Sequence, residues 1–167
     1  MITRIRPTTH GDLPKVMEIY AIARDFMYRT GNASQWIDGY PSATYIISEI
    51  DAGHSFVCEN QDGEPVGTFC FIIGDDPTYE KIYEGEWLNR DLYGTVHRIA
   101  SAGKEKGVAE ACFRWCFTRC RNIRVDTHRD NRTMQRILEK LGFTYCGIIY
   151  VSNGTERLAY QKTVWEK

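Results

Sequence analysis

The sequence predicts an α+β fold: a single mixed, mostly antiparallel sheet flanked by helices. Three observations lead there. Strand-like and helix-like segments follow in the order strand, two helices, three strands, helix, strand, helix and two strands, without the strict alternation that builds a parallel sheet. No repeat, low-complexity stretch or linker interrupts the 167 residues, so residues 1–167 are expected to form one domain. The composition, 43% hydrophobic and 26% charged, can supply a core at this length without a metal or disulfide.

Each element has its own signal. Ile2 to Arg6 alternates as a short strand. After the break at His10-Gly11, Asp12 is placed to cap a helix with Pro14 in its first turn. Leu13, Val16, Met17, Tyr20, Ala23 and Met27 recur at helical spacing, and Thr30-Gly31 ends the run. Gly31 to Pro41 is a loop with Trp36 and Tyr40, and Ser42 to Ala52 a second helix. Ser55 to Glu59 and Val66 to Ile73 form a hairpin around a turn at residues 61–64. Gly74 to Arg90, polar and aromatic, matches no element pattern. Tyr93 to Ala100 is a strand, Gly107 to Arg119 a helix, Ile123 to Thr127 a strand and Asn131 to Leu141 a helix. Phe143 to Val151 and Arg157 to Val164 close the chain as strands about a turn at 152–154.

The bulk numbers exclude several classes. A net charge of −1 argues against bulk electrostatic binding of nucleic acid. No run approaches the roughly 18 apolar residues of a membrane span. The start of the chain reads as a strand instead of a secretory leader. Six cysteines, most within apolar runs, point to free thiols in a reducing cytoplasm. Cys112, Cys116 and Cys120 recur every four residues, but the run around them reads as a buried apolar stripe without a CxxC pair, so no metal is expected.

Thr95 through Ala109 (TVHRIASAGKEKGVA) carries the chemistry. A strand runs into a loop with Gly103 and Gly107, and a helix begins there. Such a junction offers unpaired backbone N–H groups and the positive end of a helix dipole, which together suit a pyrophosphate. Gly107 permits close approach, Ala109 leaves room, and Lys104 and Lys106 add positive charge. The same loop also suits a plain connection between elements.

The segment resembles the GNAT superfamily of N-acetyltransferases. That family's loop reads Arg or Gln, two residues, Gly, one residue, then Gly or Ala; Lys104 to Ala109 (KEKGVA) matches with Lys in the first place. The family then has an Asn opening a helix that closes in Leu-Gly-Phe, as Asn131 to Phe143 does (NRTMQRILEKLGF). The match covers roughly residues 93–151. It implies acetyl-CoA as donor and an amine as acceptor, in a small molecule, peptide or protein. It further implies that backbone groups of Ile99, Ala100 and Ser101 meet the pantetheine arm between two parted strands. Lys104, Glu105, Lys106, Gly107, Val108 and Ala109 would cradle the pyrophosphate, Asn131 would bond the arm, and Arg136 would reach the adenosine phosphates. Members often pair, so a homodimer is a further expectation. A longer acyl donor, or a non-catalytic CoA-binding sensor, are the other readings.

Two family positions are filled differently. Leu138 stands where many members carry the Tyr that protonates the thiolate, and Tyr93 stands where some carry a Glu base. Strand alternation puts Tyr93, Thr95, His97, Ile99 and Ser101 on one face. His97 is the proton acceptor that pKa favours, with Tyr93 the second catalytic candidate, and His97 also suits a histidine packed in the sheet. Asp126 and His128 fit a proton path, while Asp126 and Thr127 equally fit a cap for the next helix. Tyr145 and Tyr150 are candidate hydroxyl donors. Phe26, Tyr28, Trp36 and Tyr40 are candidates for an acceptor wall, and Asp75, Asp76, Glu80, Glu84 and Glu86 for an acidic rim.

Overall fold

The structure, a computed structural model, describes residues 1–164. Its seven strands are β1 (Arg4–Pro7), β2 (Ser55–Glu59), β3 (Pro65–Ile73), β4 (Gly94–Ser101), β5 (Asn122–Thr127), β6 (Thr144–Tyr150) and β7 (Glu156–Thr163). The helices are α1 (Leu13–Arg29), α2 (Ala43–Asp51), α3 (Val108–Arg119) and α4 (Arg132–Lys140). One sheet runs in the order β1-β2-β3-β4-β5-β7-β6, antiparallel at every step except β4–β5. The mixed, mostly antiparallel sheet expected from the sequence is what forms.

Helices cover both faces. Val16, Ile19, Tyr20 and Ala23 of α1, spaced for one helix face, are buried with Trp36, Ile46 of α2, Val57 and Ala100. On the opposite face Val108, Cys112, Phe113 and Cys116 of α3 and Leu138 of α4 pack on Phe69, Phe71, Val96, Ile123 and Val125. Cys112 and Cys116 therefore behave as small apolar side chains, and burial pushes both thiols up. No helix is long and apolar enough to cross a membrane among the described residues.

Some local readings need correction. Asp12 precedes α1 but does not cap it, because a 3-10 turn over His10–Asp12 has already brought its backbone to φ −79°, ψ −13°. Its carboxylate accepts instead from the Thr9 N–H and from Arg6, at 2.8 Å each. The Arg6 guanidinium holds the Asp12 carboxyl at about 2. Residues 74–93 contain a 3-10 turn at Pro77–Tyr79 and then wrap the edge of the sheet. Tyr83 exchanges two 2.8 Å backbone hydrogen bonds with Ile148, and Gly85 lies so close to β6 that a Cβ would meet Cys146 O at 1.9 Å. Trp87 stacks beneath Arg124. The segment has no element periodicity because it pairs with the sheet through scattered contacts.

The cap of α4 is Asn131, whose Oδ1 accepts from Met134 N at 3.0 Å; Asp126 and Thr127 do not cap it. The alternation along β4 breaks at Arg98, which adopts φ +54°. Cys70 pairs with His97 and Thr68 with Ala100, so Arg98 and Ile99 together oppose one residue of β3, a β-bulge.

Gly67 of β3 brings α3 onto the sheet: a Cβ there would lie 2.5 Å from Val108 Cγ1. Gly67→Val should cost about 1–3 kcal/mol by overpacking and lower the melting temperature. Thermal unfolding followed by circular dichroism checks this, and a variant as stable as the parent would contradict the close approach.

Candidate active site

The β4–β5 pair is registered only at Gly94 with Ile123 and Thr95 with Arg124. Beyond Thr95 the strands part, and the backbone groups of β4 that face β5 lose their strand partner. The bulge at Arg98 sits in that stretch. Arg98 points toward α2 and the loop before it: Nη1 donates to Tyr40 Oη of the loop and Nη2 to Glu49 Oε2 of α2, both at 3.0 Å. Its guanidinium also lies 4.7 Å from the Tyr45 ring centroid. Ile99 turns to the α3–α4 side and Ala100 to the α1–α2 side, so Ile99 does not share the face of His97 as simple alternation predicts.

A narrow cleft of about 40 Å³ lies at the parting, between Val96, Ile99, Val125, Thr127, Asn131 and Met134. Beside it lies a larger cavity of about 650 Å³, a volume suited to a small molecule. Gln35, Trp36, Val96, Arg98 and Asp126 line both. Were the register extended, His97 and Asp126 would stand opposite each other across the gap. The Oγ1 atoms of Thr95 and Thr127 are buried there without a hydrogen-bond partner among the described residues.

His97 and Asp76 form a pair on the cavity wall, with Nε2 3.0 Å from Asp76 Oδ2. Asp76 Oδ1 accepts from Thr78 N at 2.8 Å and Thr78 Oγ1 at 2.7 Å. Burial opposes the charge on Asp76, but the hydrogen bonds from His97 and Thr78 outweigh it and hold the carboxyl at about 2. As a carboxylate it accepts the His97 Nε2 proton, which leaves Nδ1 as the basic nitrogen. Tyr93 is buried behind this pair: its Oη accepts from Asp76 N at 2.7 Å, and its ring lies 4.0 Å beneath Arg124. Tyr79 Oη donates to Asp126 Oδ2 at 2.6 Å, and burial followed by the nearby Asp126 charge raises the Tyr79 phenol.

The loop ahead of α3 has the expected shape. Gly103 and Gly107 take φ +76° and +75°, and no side chain caps the helix at Gly107. Its first backbone N–H groups are therefore open. Lys104 is exposed and reaches away to Glu64 Oε1 at 2.7 Å, and Glu105 pairs with the N-terminal ammonium. Lys106 is exposed, Val108 buried and Ala109 half-buried. Asn131 spends both ends of its amide, on Met134 N and on Gln35 Oε1 at 3.0 Å each. Arg136 is exposed on α4, one turn before Lys140, whose Nζ bonds Glu110 in the first turn of α3 at 2.7 Å.

Other candidates fall outside the cavity. Tyr145 and Tyr150 are half-exposed and pack on Tyr160 and Tyr83. Phe26 and Tyr28 are exposed, whereas Trp36 and Tyr40 form wall. Asp75 and Asp76 line the cavity and Glu80, Glu84 and Glu86 do not. Leu138 is fully buried in the core. The sequence reading missed Gln35, Arg98 and Arg157 on the wall, and the partnership of Asp76 with His97 across 21 residues.

A mixed sheet whose parallel pair opens beside an uncapped helix start defines an acyl-CoA N-acyltransferase fold. The chain belongs to the GNAT acetyltransferase family: the sequence profile of the acetyltransferase (GNAT) domain matches residues 3–144. Among solved structures, it is similar to a GNAT-family acetyltransferase from Streptococcus agalactiae 2603, at 35% identity over 98% of this chain and 96% of that one, with a TM-score of 0.88. It also shares its fold with a putative acetyltransferase from Staphylococcus aureus Mu50, at 21% identity over 96% and 99% of the chains and a TM-score of 0.70. A third is a phosphinothricin acetyltransferase from Sinorhizobium meliloti solved with AcCoA, at 15% identity over 98% and 89%, TM-score 0.65. No curated protein matches the chain in sequence.

Asp76 titrates lower in the folded chain than its ordinary 3.8, so the stability it contributes is present above about pH 4 and is lost as pH falls toward 2. Asp76→Asn should cost about 1 kcal/mol at neutral pH after solvent screening, and that cost should shrink as pH falls from about 4 through 2. Urea unfolding across that range checks this; a gap that does not shrink at low pH would contradict the ionised pairing.

Proposed function

We propose that the protein transfers an acetyl group from acetyl-CoA to a primary amine by direct attack, in the cavity beside the parted strands. The observation that carries this is the junction itself. An unpaired edge of β4, two threonine hydroxyls without a partner among the described residues and an open helix start would together seat a donor whose reacting end meets His97 and Asp126. The donor's pantetheine arm would run along β4 at Ile99, Ala100 and Ser101, as an added strand does. Its pyrophosphate would meet the backbone of Lys104 to Ala109. Thr127 would take the arm's hydrogen bond, since Asn131 is already engaged. Arg136, and Arg132 one turn earlier, lie on the α4 face that reaches α3 and would serve the adenosine phosphates.

The chemistry follows from the His97–Asp76 pair. A neutral amine between His97 and Asp126 attacks the thioester carbonyl, and backbone N–H groups of the β4 edge steady the oxyanion. His97 Nδ1 takes the amine proton, with Asp76 fixing the ring. The C–S bond breaks, and the thiolate takes its proton from water. Tyr93 is a positioning residue here, holding Asp76 through its backbone. A built base beside the donor track favours turnover over a sensor.

Steady-state release of CoA thiol with a panel of amines tests this. His97→Ala should lower kcat by roughly 100-fold at neutral pH and leave donor affinity nearly unchanged. An unchanged rate would remove His97 from the chemistry. Gly107→Val places a branched residue at φ +75° and should weaken acetyl-CoA binding by roughly 10-fold or more. A normal dissociation constant would count against the loop.

A further inference from the structure

The floor of the cavity holds a buried cation without an anion. Arg157 of β7 is 6% exposed and lines the cavity, yet no carboxylate among the described residues lies within 4.0 Å of its guanidinium. Nη1 donates to Thr155 Oγ1 at 3.0 Å and to Glu156 O at 2.8 Å, and Nη2 reaches Gln35 O at 3.4 Å. All three acceptors are neutral. Of the five donors of a guanidinium, the Nε–H and one Nη2–H remain, and these form one edge of the fork that pairs bidentately with a carboxylate. Burial pulls the Arg157 pKa down, and Asp126 offsets only part of that. A buried charge left in this state is costly, and an anionic ligand would relieve it.

Register sets where that ligand would lie. Asp126 of β5 pairs with Ala159 of β7, and Arg157 is two residues from Ala159 on the same face. Asp126 and Arg157 are thus diagonal neighbours, roughly 7 Å apart at Cβ. They face the same cavity without forming an ion pair. The ammonium and carboxylate of an amino acid span such a gap, one group on each side chain.

We infer that the acceptor is a small amino acid: its carboxylate docks on the Nε–Nη2 edge of Arg157, which presents its amine to Asp126 and His97. This rests on the acetyltransferase reading and names its substrate class. Trp36, Tyr40 and Ile37 on the facing wall would then meet the side chain.

The test uses matched acceptors, each amino acid beside its amide and its decarboxylated amine, with acetyl-CoA and the full chain. The parent should favour the carboxylate member by roughly 100-fold in kcat/KM, with the loss for its analogues in KM. Arg157→Gln should erase that preference by cutting kcat/KM for the acids far more than for the amides, and Arg157→Lys should keep part of it. Calorimetric titration of amino acids into the CoA-saturated protein reads the anchor without turnover. Carboxylate-dependent binding that Arg157→Gln abolishes would uphold the inference even if no acetyl moved, and would leave the transferase reading alone in error. Equal use of acids and amides by the parent would overturn it and keep the transferase. So would an equal fall for both in Arg157→Gln, or no binding and no turnover of any carboxylate-bearing amine.

Discussion

The working region depends on the bulge that Arg98 makes in β4. A non-glycine residue at φ +54° costs of order 1–3 kcal/mol and persists only where its surroundings over-determine it. Here Tyr40, Glu49 and the Tyr45 ring hold the guanidinium in place, so a loop and a helix outside the sheet offset the strain. A bulge bends its strand and increases the local twist, and β4 leaves β5 just before it. The inserted residue also reverses the alternation. His97 and Arg98 both line the cavity, while Ile99 seals the opposite core.

The cavity is electrostatically divided. Asp76 and Asp126 are carboxylates with hydrogen-bonded partners on the side toward β4 and β5, and Arg157, on the side toward β7, is a cation that donates only to neutral oxygens among the described residues. Arg98, by contrast, is neutralised by Glu49 and works as a structural cation. Two buried arginines on one wall thus differ in kind, and the difference lies in what their forks already hold.

Most of the fold was legible because each element carries its own local signal. Val16, Tyr20 and Ala23 mark the buried face of α1, and the turn at 61–64 marks the hairpin. The loop at 104–109 was legible from Gly107 and from the helix that follows. What escaped was tertiary. No residue type announces a left-handed Arg98, so alternation placed Ile99 on the wrong face. Asp126 stands where a cap would, yet its carboxylate is drawn to Tyr79 from a segment with no readable pattern. Tyr93 was expected at the reacting group, and the structure buries its hydroxyl behind Asp76 instead. Asp76 itself shows only a local turn with Thr78; its meeting with His97 is made by the two ends of a hairpin.

A crystal structure of the protein with coenzyme A bound addresses the central claim most directly. The expected result has the diphosphate on the first backbone N–H groups of α3, the pantetheine arm along β4 beside Thr127, and the thiol within reach of His97 and Asp126. A ligand seated away from the β4–β5 parting, with that cleft closed, would contradict it.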